Sequence, residues 1–147
     1  MEPIQKLLIE TACKELMTRY CIALDTRDVE GFVGLFSPDA VWELVNAAGR
    51  ELSGQEAIRQ YVENRQTALY NVHLVQNAHV EVKSATEAEG YCIALIIDGV
   101  MGDLPVPVRG IELITEYRDQ YRLFPEGWRI TRRSMTKLFD AKSPLPS

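Results

Sequence analysis

The order of the hydrophobic patterns along the chain is the feature that most constrains its fold. Apolar side chains at three- and four-residue spacing, which are typical of amphipathic helices, occur only before about Ala68. From Asn71 onward the sequence consists of long strand-like runs rich in β-branched and aromatic residues. Because helices precede strands and do not alternate with them, the sequence predicts an α+β fold and argues against a doubly wound parallel sheet.

Three helices and five strands are predicted from these patterns. The predicted helices cover Pro3 to about Thr26, Asp28 to Leu35 or Phe36, and residues 53 to about 68. The predicted strands cover Val41–Val45, Asn71–Lys83, Ala88–Ile97, Val108–Leu123 and Trp128 to about Leu138. Two segments are typical of turns, Ser37-Pro38-Asp39 and Phe124-Pro125-Glu126-Gly127, and Ser53-Gly54-Gln55-Glu56 fits a capping box. The second turn makes the last two strands an antiparallel hairpin.

These elements predict one cone-shaped α+β barrel. Three N-terminal helices packed in a curved antiparallel sheet enclose a pocket at the open end of the cone. A chain of 147 residues is long enough for one such core and too short for two full domains. We therefore expect a single domain over residues 1–138 and a C-terminal tail over residues 139–147.

Charge and composition exclude several classes of partner. Sixteen Lys and Arg against 21 Asp and Glu give a formal net charge of -5, with no block of like charge. This argues against nucleic acid or an anionic membrane as the main partner. No stretch resembles a signal peptide or a membrane span. The sequence therefore predicts a cytoplasmic protein whose partners are small molecules or proteins, with a small-molecule ligand or substrate expected.

The sequence contains too few suitably spaced Cys and His side chains to favour a metal or redox site. Cys13, Cys21 and Cys92 lack the CxxC spacing of zinc or redox sites, and free, mostly buried thiols are expected. The chain has only two histidines, His73 and His79. We expect neither a catalytic metal nor a cofactor.

Asp25 and His73 are the strongest candidates for acid–base chemistry. Asp25 continues an apolar helix face near a helix C-terminus, which disfavours a carboxylate, so a compensating partner is expected; a solvated loop acid is the alternative. His73 has apolar neighbours on both faces of its strand, and a hydrogen-bonded core histidine is the alternative to a catalytic one. His79 is predicted at the surface. A bulge at Gln76-Asn77 would let His73 and Val80 face the same interior.

The last two strands contain further polar candidates. Strict alternation places Arg129 and Arg133 on one face of the last strand and Ile130 and Arg132 on the other. Three arginines in five residues are most often a solvated, salt-bridged surface. Tyr117 is a possible hydrogen-bond donor, although a tyrosine in a strand is more often simply packed.

Several motifs together resemble the SnoaL-like branch of the nuclear-transport-factor-2-like superfamily. In chain order they are Tyr20…Leu24-Asp25-Thr26-Arg27-Asp28, Leu35-Phe36-Ser37-Pro38-Asp39-Ala40-Val41-Trp42, Ser53-Gly54-Gln55-Glu56-Ala57-Ile58 and Tyr121…Gly127-Trp128-Arg129-Ile130…Arg133. The resemblance extends from about Ile4 to Thr136. It implies the cone fold but not one activity, because this fold hosts isomerases, dehydratases, cyclases and non-catalytic binders.

The resemblance also implies roles for particular residues. In scytalone dehydratase and lindane dehydrochlorinase a helix-end aspartate pairs with a strand histidine, and Asp25 and His73 match those positions. Arg133 matches an arginine that lines the dehydrochlorinase pocket. Tyr20 matches a pocket tyrosine of bile acid 7α-dehydratase where the dehydrochlorinase has a lysine, which favours dehydration or isomerisation over halide elimination. The substrate-binding wall is expected to comprise Leu24, Trp42, Ala94, Ile96, Tyr117 and Met135.

The function implied is that of a cofactor-independent lyase or isomerase, dehydratase-like, acting on a small, mostly apolar, cyclic or carbonyl-bearing molecule. His73 would remove a carbon-bound proton with Asp25 behind it, and Tyr20 or Arg133 would stabilise the developing charge. A non-catalytic ligand-binding or assembly subunit is the alternative, and a buried His73 without a carboxylate contact would favour it. A third interpretation is a filled pocket with a purely structural role. Apolar residues on both faces of the long strands predict a homodimer or homotrimer.

Overall fold

A computed structural model describes residues 1–44, 50–65 and 69–140. Its helices are α1 (Pro3–Thr26), α2 (Val29–Val33) and α3 (Gln55–Glu63). Its strands are β1 (Phe36–Glu43), β2 (Glu51–Ser53), β3 (Leu69–Val82), β4 (Glu87–Val100), β5 (Val108–Phe124) and β6 (Gly127–Asp140). The three helices and the curved, cone-like sheet confirm the predicted α+β class.

The six strands form one sheet in the order β2-β1-β6-β5-β4-β3. Neighbouring strands are antiparallel except for β1 and β6, which are parallel, so the sheet is mixed rather than purely antiparallel. Strands β1 and β6 are far apart in sequence, and no hairpin fixes their relative direction. Helix α1 packs against β3, β4 and β6. The C-terminal end of α1 lies next to β3, because Asp25 in its last turn accepts a hydrogen bond from the backbone N–H of His73.

The boundaries of several elements differ from the predicted ones. Ser37-Pro38-Asp39 lies inside β1 and not in a turn; the β1–β6 register is irregular there, which accommodates the proline. The short strand β2 was not predicted. Helix α3 ends at Glu63, and its N-cap is Gly54 without a side-chain hydrogen bond, so the predicted capping box is wrong. Asp28 does cap α2, accepting a hydrogen bond from the Gly31 N–H at 2.9 Å.

The predicted ends of two elements and most of the tail cannot be compared with the structure. Val45, Ala68 and residues 141–147 lie outside the described residues. Strand β6 continues to Asp140, so residues 139 and 140 of the predicted tail belong to the sheet.

Two bulges decide which side chains face the interior. In β3 the register against β4 shifts between Gln76 and His79, and Asn77 has a φ of 54°, which confirms the predicted bulge. In β6 the register shifts so that Ile130 and Arg132 pair with consecutive residues of β5. Ile130 and Arg133 are consequently both buried, and the predicted placement of these two on opposite faces is wrong.

The core between α1 and the sheet is rich in aromatic rings. The Tyr20 ring lies 4.8 Å from that of Phe32 and 6.0 Å from that of Trp42, measured between centroids. Cys13, Cys21 and Cys92 are buried and free, as predicted. No helix in the described part of the chain is long and apolar enough to cross a lipid bilayer.

Candidate active site

The predicted contact between Asp25 and His73 is present. Asp25 lies in the last turn of α1, which ends where Arg27 adopts a left-handed conformation. One Asp25 carboxylate oxygen lies 2.5 Å from His73 Nδ1, and the other accepts the backbone N–H of His73 at 2.9 Å. The side chain of His73 is 6% exposed and that of Asp25 is 20% exposed. Asp25 is therefore not the solvated loop acid that was the alternative interpretation.

This contact determines which nitrogen of the imidazole carries the proton. An ionised carboxylate only accepts hydrogen bonds, so Nδ1 of His73 is the protonated nitrogen in the neutral ring. Nε2 then has a free electron pair. His73 lines the main cavity whereas Asp25 lies behind it, against a smaller neighbouring cavity. The arrangement is that of a general base supported by a carboxylate.

The main cavity has a volume of about 950 Å³. Seven predicted site residues line it: Tyr20, Leu24, Trp42, His73, Ile96, Tyr117 and Met135. The Trp42 indole N–H donates a hydrogen bond to the sulfur of Met135 at 2.9 Å, which holds two of these side chains together. An open cavity of this size argues against the interpretation of a filled, purely structural pocket.

The predicted position of Arg133 in the pocket wall is wrong. Its side chain is completely buried and does not line the cavity. Nε and Nη2 of Arg133 donate to the two oxygens of Asp119 at 2.7 and 2.6 Å. The guanidinium carbon lies 3.9 Å from the ring centroid of Tyr20 and 4.5 Å from that of Tyr117. Arg133 faces inward, as predicted. These two rings and Asp119 hold it in the core, however, and not at the cavity wall.

Ala94, like Asp25 and Arg133, is a predicted site residue that does not line the main cavity. It is fully buried, while Ile96 on the same face of β4 does line the cavity. Ala94 pairs with Val75 and Thr115, and its short side chain is covered by the core. The cavity wall on β4 is therefore formed by the longer side chain of Ile96.

Tyr20 contributes a protonated hydroxyl to the cavity. Burial raises the pKa of the Tyr20 phenol, an effect only partly offset by the positive charge of Arg133. Burial likewise raises the pKa of Tyr117, which also lines the cavity. Both phenols are consequently neutral near pH 7 and can donate hydrogen bonds to a substrate oxygen.

The polar part of the cavity lining was not predicted from the sequence. These residues are Arg50, Gln60, Asn64, Arg65, Asn71, Glu112, Lys137 and Asp140. Simple spacing could have identified three of them, because Asn71 lies two residues before His73, Lys137 two after Met135, and Arg65 four after Tyr61.

Two others, Glu112 and Asp140, could not be placed by spacing. Glu112 is the extra residue of β5 at the register shift between Ile96 and Ile97 of β4. Asp140 lies beyond the shift in the β5–β6 register between Ile114 and Thr115. Past such a shift, alternation no longer tells which residues face inward. Among the described residues no group of three or more His, Cys, Asp or Glu side chains is arranged to hold a metal ion.

The fold and this cavity define a SnoaL-like protein. The chain belongs to the SnoaL-like domain family, whose model matches residues 5–134. This agrees with the resemblance inferred from the motifs. No curated protein matches the sequence.

Solved structures show the same fold. A scytalone dehydratase-like protein from Novosphingobium aromaticivorans shares 20% identity, with 99% of this chain and 95% of that chain covered and a TM-score of 0.82. A hexachlorocyclohexane dehydrochlorinase shares 16% identity, with coverages of 99% and 94% and a TM-score of 0.78. A Mycobacterium tuberculosis protein of unknown function shares 25% identity, with coverages of 93% and 76% and a TM-score of 0.76.

Proposed function

We propose that this protein is a cofactor-independent lyase or isomerase, of the dehydratase type, acting on a small, mostly apolar, cyclic or carbonyl-bearing molecule. The observation that carries the proposal is the contact of Asp25 with His73 at the wall of a cavity with both aromatic and polar lining residues. The aromatic side chains and Met135 in the lining can pack against a flat hydrocarbon ring. The polar side chains of the same lining can hydrogen-bond one or two substrate oxygens.

In the proposed reaction the imidazole of His73 begins as the neutral base. Nε2 removes a proton from a carbon next to the substrate carbonyl, and the electron pair left behind forms a carbon–carbon double bond as the neighbouring hydroxyl departs. The Tyr20 phenol donates its proton to that hydroxyl, which leaves as water. The imidazolium then returns its proton to the Tyr20 phenolate, which restores both groups. In an isomerisation, the imidazolium would instead return the proton to another carbon of the substrate.

Asp25 supports this reaction by holding the ring and its charge. While His73 is protonated, the carboxylate stabilises the imidazolium, and in the resting state it keeps Nδ1 protonated. An imidazole oriented and charged by a carboxylate in this way is the arrangement of a general base. The carboxylate contact thus favours the enzyme over the alternative of a non-catalytic ligand-binding or assembly subunit.

Replacement of His73 tests the proposal directly. Once a substrate has been found by screening cyclic hydroxy-ketones and related molecules, His73→Ala should lower kcat by about 100-fold or more, because the base is lost. His79→Ala is the matched control, since His79 is exposed and remote from the cavity lining. Turnover is measured with and without EDTA. Full activity of His73→Ala, or loss of activity in EDTA, would overturn the metal-free Asp–His mechanism.

A further inference from the structure

Two arginines that line the cavity have no charged partner in the part of the chain that the structure describes. Lys137 contacts Asp140 at 2.7 Å, and Asn71 donates to Glu112 at 3.4 Å. Arg65 and Arg50 also line the cavity, but within the described residues neither guanidinium has a carboxylate or hydrogen-bond partner. Arg50 is exposed, whereas Arg65 is half-buried. A guanidinium at a cavity wall with no such partner among the described residues can pair with an anionic group of a ligand.

Arg65 is placed close to the proposed chemistry. It follows the C-cap of α3 and lies along both the main cavity and the smaller one of about 180 Å³ that contains Asp25. Its positive charge acts on the Tyr20 phenol, where it opposes the dominant effect of burial on the phenol pKa. The guanidinium therefore lies within electrostatic range of the proposed proton donor and on the same cavity as His73.

A purely structural role explains only part of this placement. A cation just after a helix C-terminus is favoured by the helix dipole. An exposed side chain at this position would satisfy that preference equally well. Arg19, by comparison, is exposed on α1 and does not line the cavity. The dipole does not account for a guanidinium held at the cavity wall.

We propose that Arg65 binds a carboxylate of the substrate, so that the molecule taken by this site is a ring acid. This inference rests on the proposed function and names its substrate class. Guanidinium and carboxylate match as a bidentate, charge-assisted pair. Trp42, Tyr117 and His73 line the same cavity as Arg65, so a ring acid bound there has both aromatic surface and the proposed base within one site.

The charges of the cavity favour a carboxylate over a phosphate. Glu112 and Asp140 line the same cavity and would repel a dianion. A single negative charge is matched by one half-buried guanidinium. The apolar lining residues, such as Trp42 and Ile96, can pack against an organic ring but gain nothing from a small inorganic anion.

Binding of a matched pair of probes tests the proposal without any turnover. Naphthalene carboxylate and its uncharged carboxamide have the same ring and differ by one charge. Calorimetric titration of the full chain should give a dissociation constant for the carboxylate about tenfold or more below that of the carboxamide. Arg65→Gln should remove this preference by weakening only the carboxylate, Arg65→Lys should retain part of it, and Arg19→Gln should leave it unchanged.

The outcomes separate this proposal from the proposed function. The same carboxylate preference in His73→Ala as in the wild type would support the anion site, whatever the fate of catalysis. Equal affinity for the two probes, absence of binding by both, or a preference that survives Arg65→Gln would overturn the role of Arg65. None of these three results would bear on whether His73 is the base.

Discussion

At the scale of single residues, the Asp25 carboxylate determines the state of His73. The C-terminal end of α1 disfavours a negative charge at Asp25, and the backbone N–H and Nδ1 of His73 supply the compensation. Asp25→Asn should keep the fold but let the amide pair with either tautomer. We expect kcat to fall by at least about tenfold, with ligand affinity largely unchanged. Turnover and calorimetric binding measure the two quantities, and nitrogen NMR of the imidazole reports the tautomer.

An exposed acidic residue away from the cavity provides the control for this prediction. Asp103 is exposed in the loop between β4 and β5, so Asp103→Asn changes the net charge equally without touching the cavity. Unchanged kcat in Asp25→Asn, or an equal loss in both variants, would contradict the role assigned to the carboxylate.

The sequence was informative about this pair and misleading about Arg133. Asp25 could be placed because helical spacing and the unfavourable helix end both called for a partner, and the family resemblance indicated His73. The burial of Arg133 could not be foreseen, because it depends on Asp119 and on two aromatic rings from α1 and β5. Such contacts between distant segments leave no trace in local spacing.

At the scale of secondary-structure elements, the β3 bulge keeps His73 and Val80 on the interior side. Asn77 adopts a φ of 54°, a left-handed conformation that asparagine tolerates and β-branched residues do not. Asn77→Val should lower the free energy of unfolding by about 1–2 kcal/mol. Urea denaturation followed by circular dichroism measures the change.

Glycine at the same position is the matched comparison. Asn77→Gly should be close to neutral, because glycine adopts positive φ readily. Equal stability of the valine and glycine variants would show that the bulge does not constrain this residue.

The types of the secondary-structure elements were more predictable than the pairing of the strands. The order of helices and strands follows from the change in hydrophobic period, and three helices and four long strands were located from it. The parallel pairing of β1 with β6 and the bulge in β6 were not predictable, because both result from closing the sheet around α1. Alternation describes a regular strand and fails where the register shifts.

At the scale of the whole molecule, the buried thiols make stability sensitive to alkaline pH. Burial raises the pKa of Cys13, Cys21 and Cys92 to about 12. A thiol in an unfolded chain has a pKa of about 8.5. Between these values the folded state binds more protons than the unfolded state. The free energy of unfolding should therefore fall as pH rises from about 8.5 toward 12, by roughly 1.4 kcal/mol per pH unit for each thiol.

Urea denaturation at a series of pH values from neutral to alkaline checks this sign. Cys92→Ala should have a shallower dependence than the wild type, because one titrating group is removed. Stability that stays level or increases over this range would show that the thiols are accessible to hydroxide in the folded state.

One row of side chains on the outer face of the sheet is unusually apolar for a surface in water. Leu74, Leu95, Ile114 and Phe139 pair successively across β3, β4, β5 and β6 and form one continuous row. Leu74 is 41% exposed and Phe139 is 67% exposed. A sheet with one face on the core normally has polar residues on the other, so this row indicates a covered face.

We expect a second copy of the chain to cover this face, giving a homodimer or homotrimer. Apolar side chains in a row complement the same row of another subunit, as symmetric interfaces require. Size-exclusion chromatography with light scattering should report the oligomer at micromolar concentration, and Leu95→Lys should convert it to monomer because the new charge would be buried. Ile4→Lys, at the exposed start of α1, should leave the mass unchanged. A monomeric wild type would refute the expectation, and an oligomer that persists in Leu95→Lys would assign the interface to another surface.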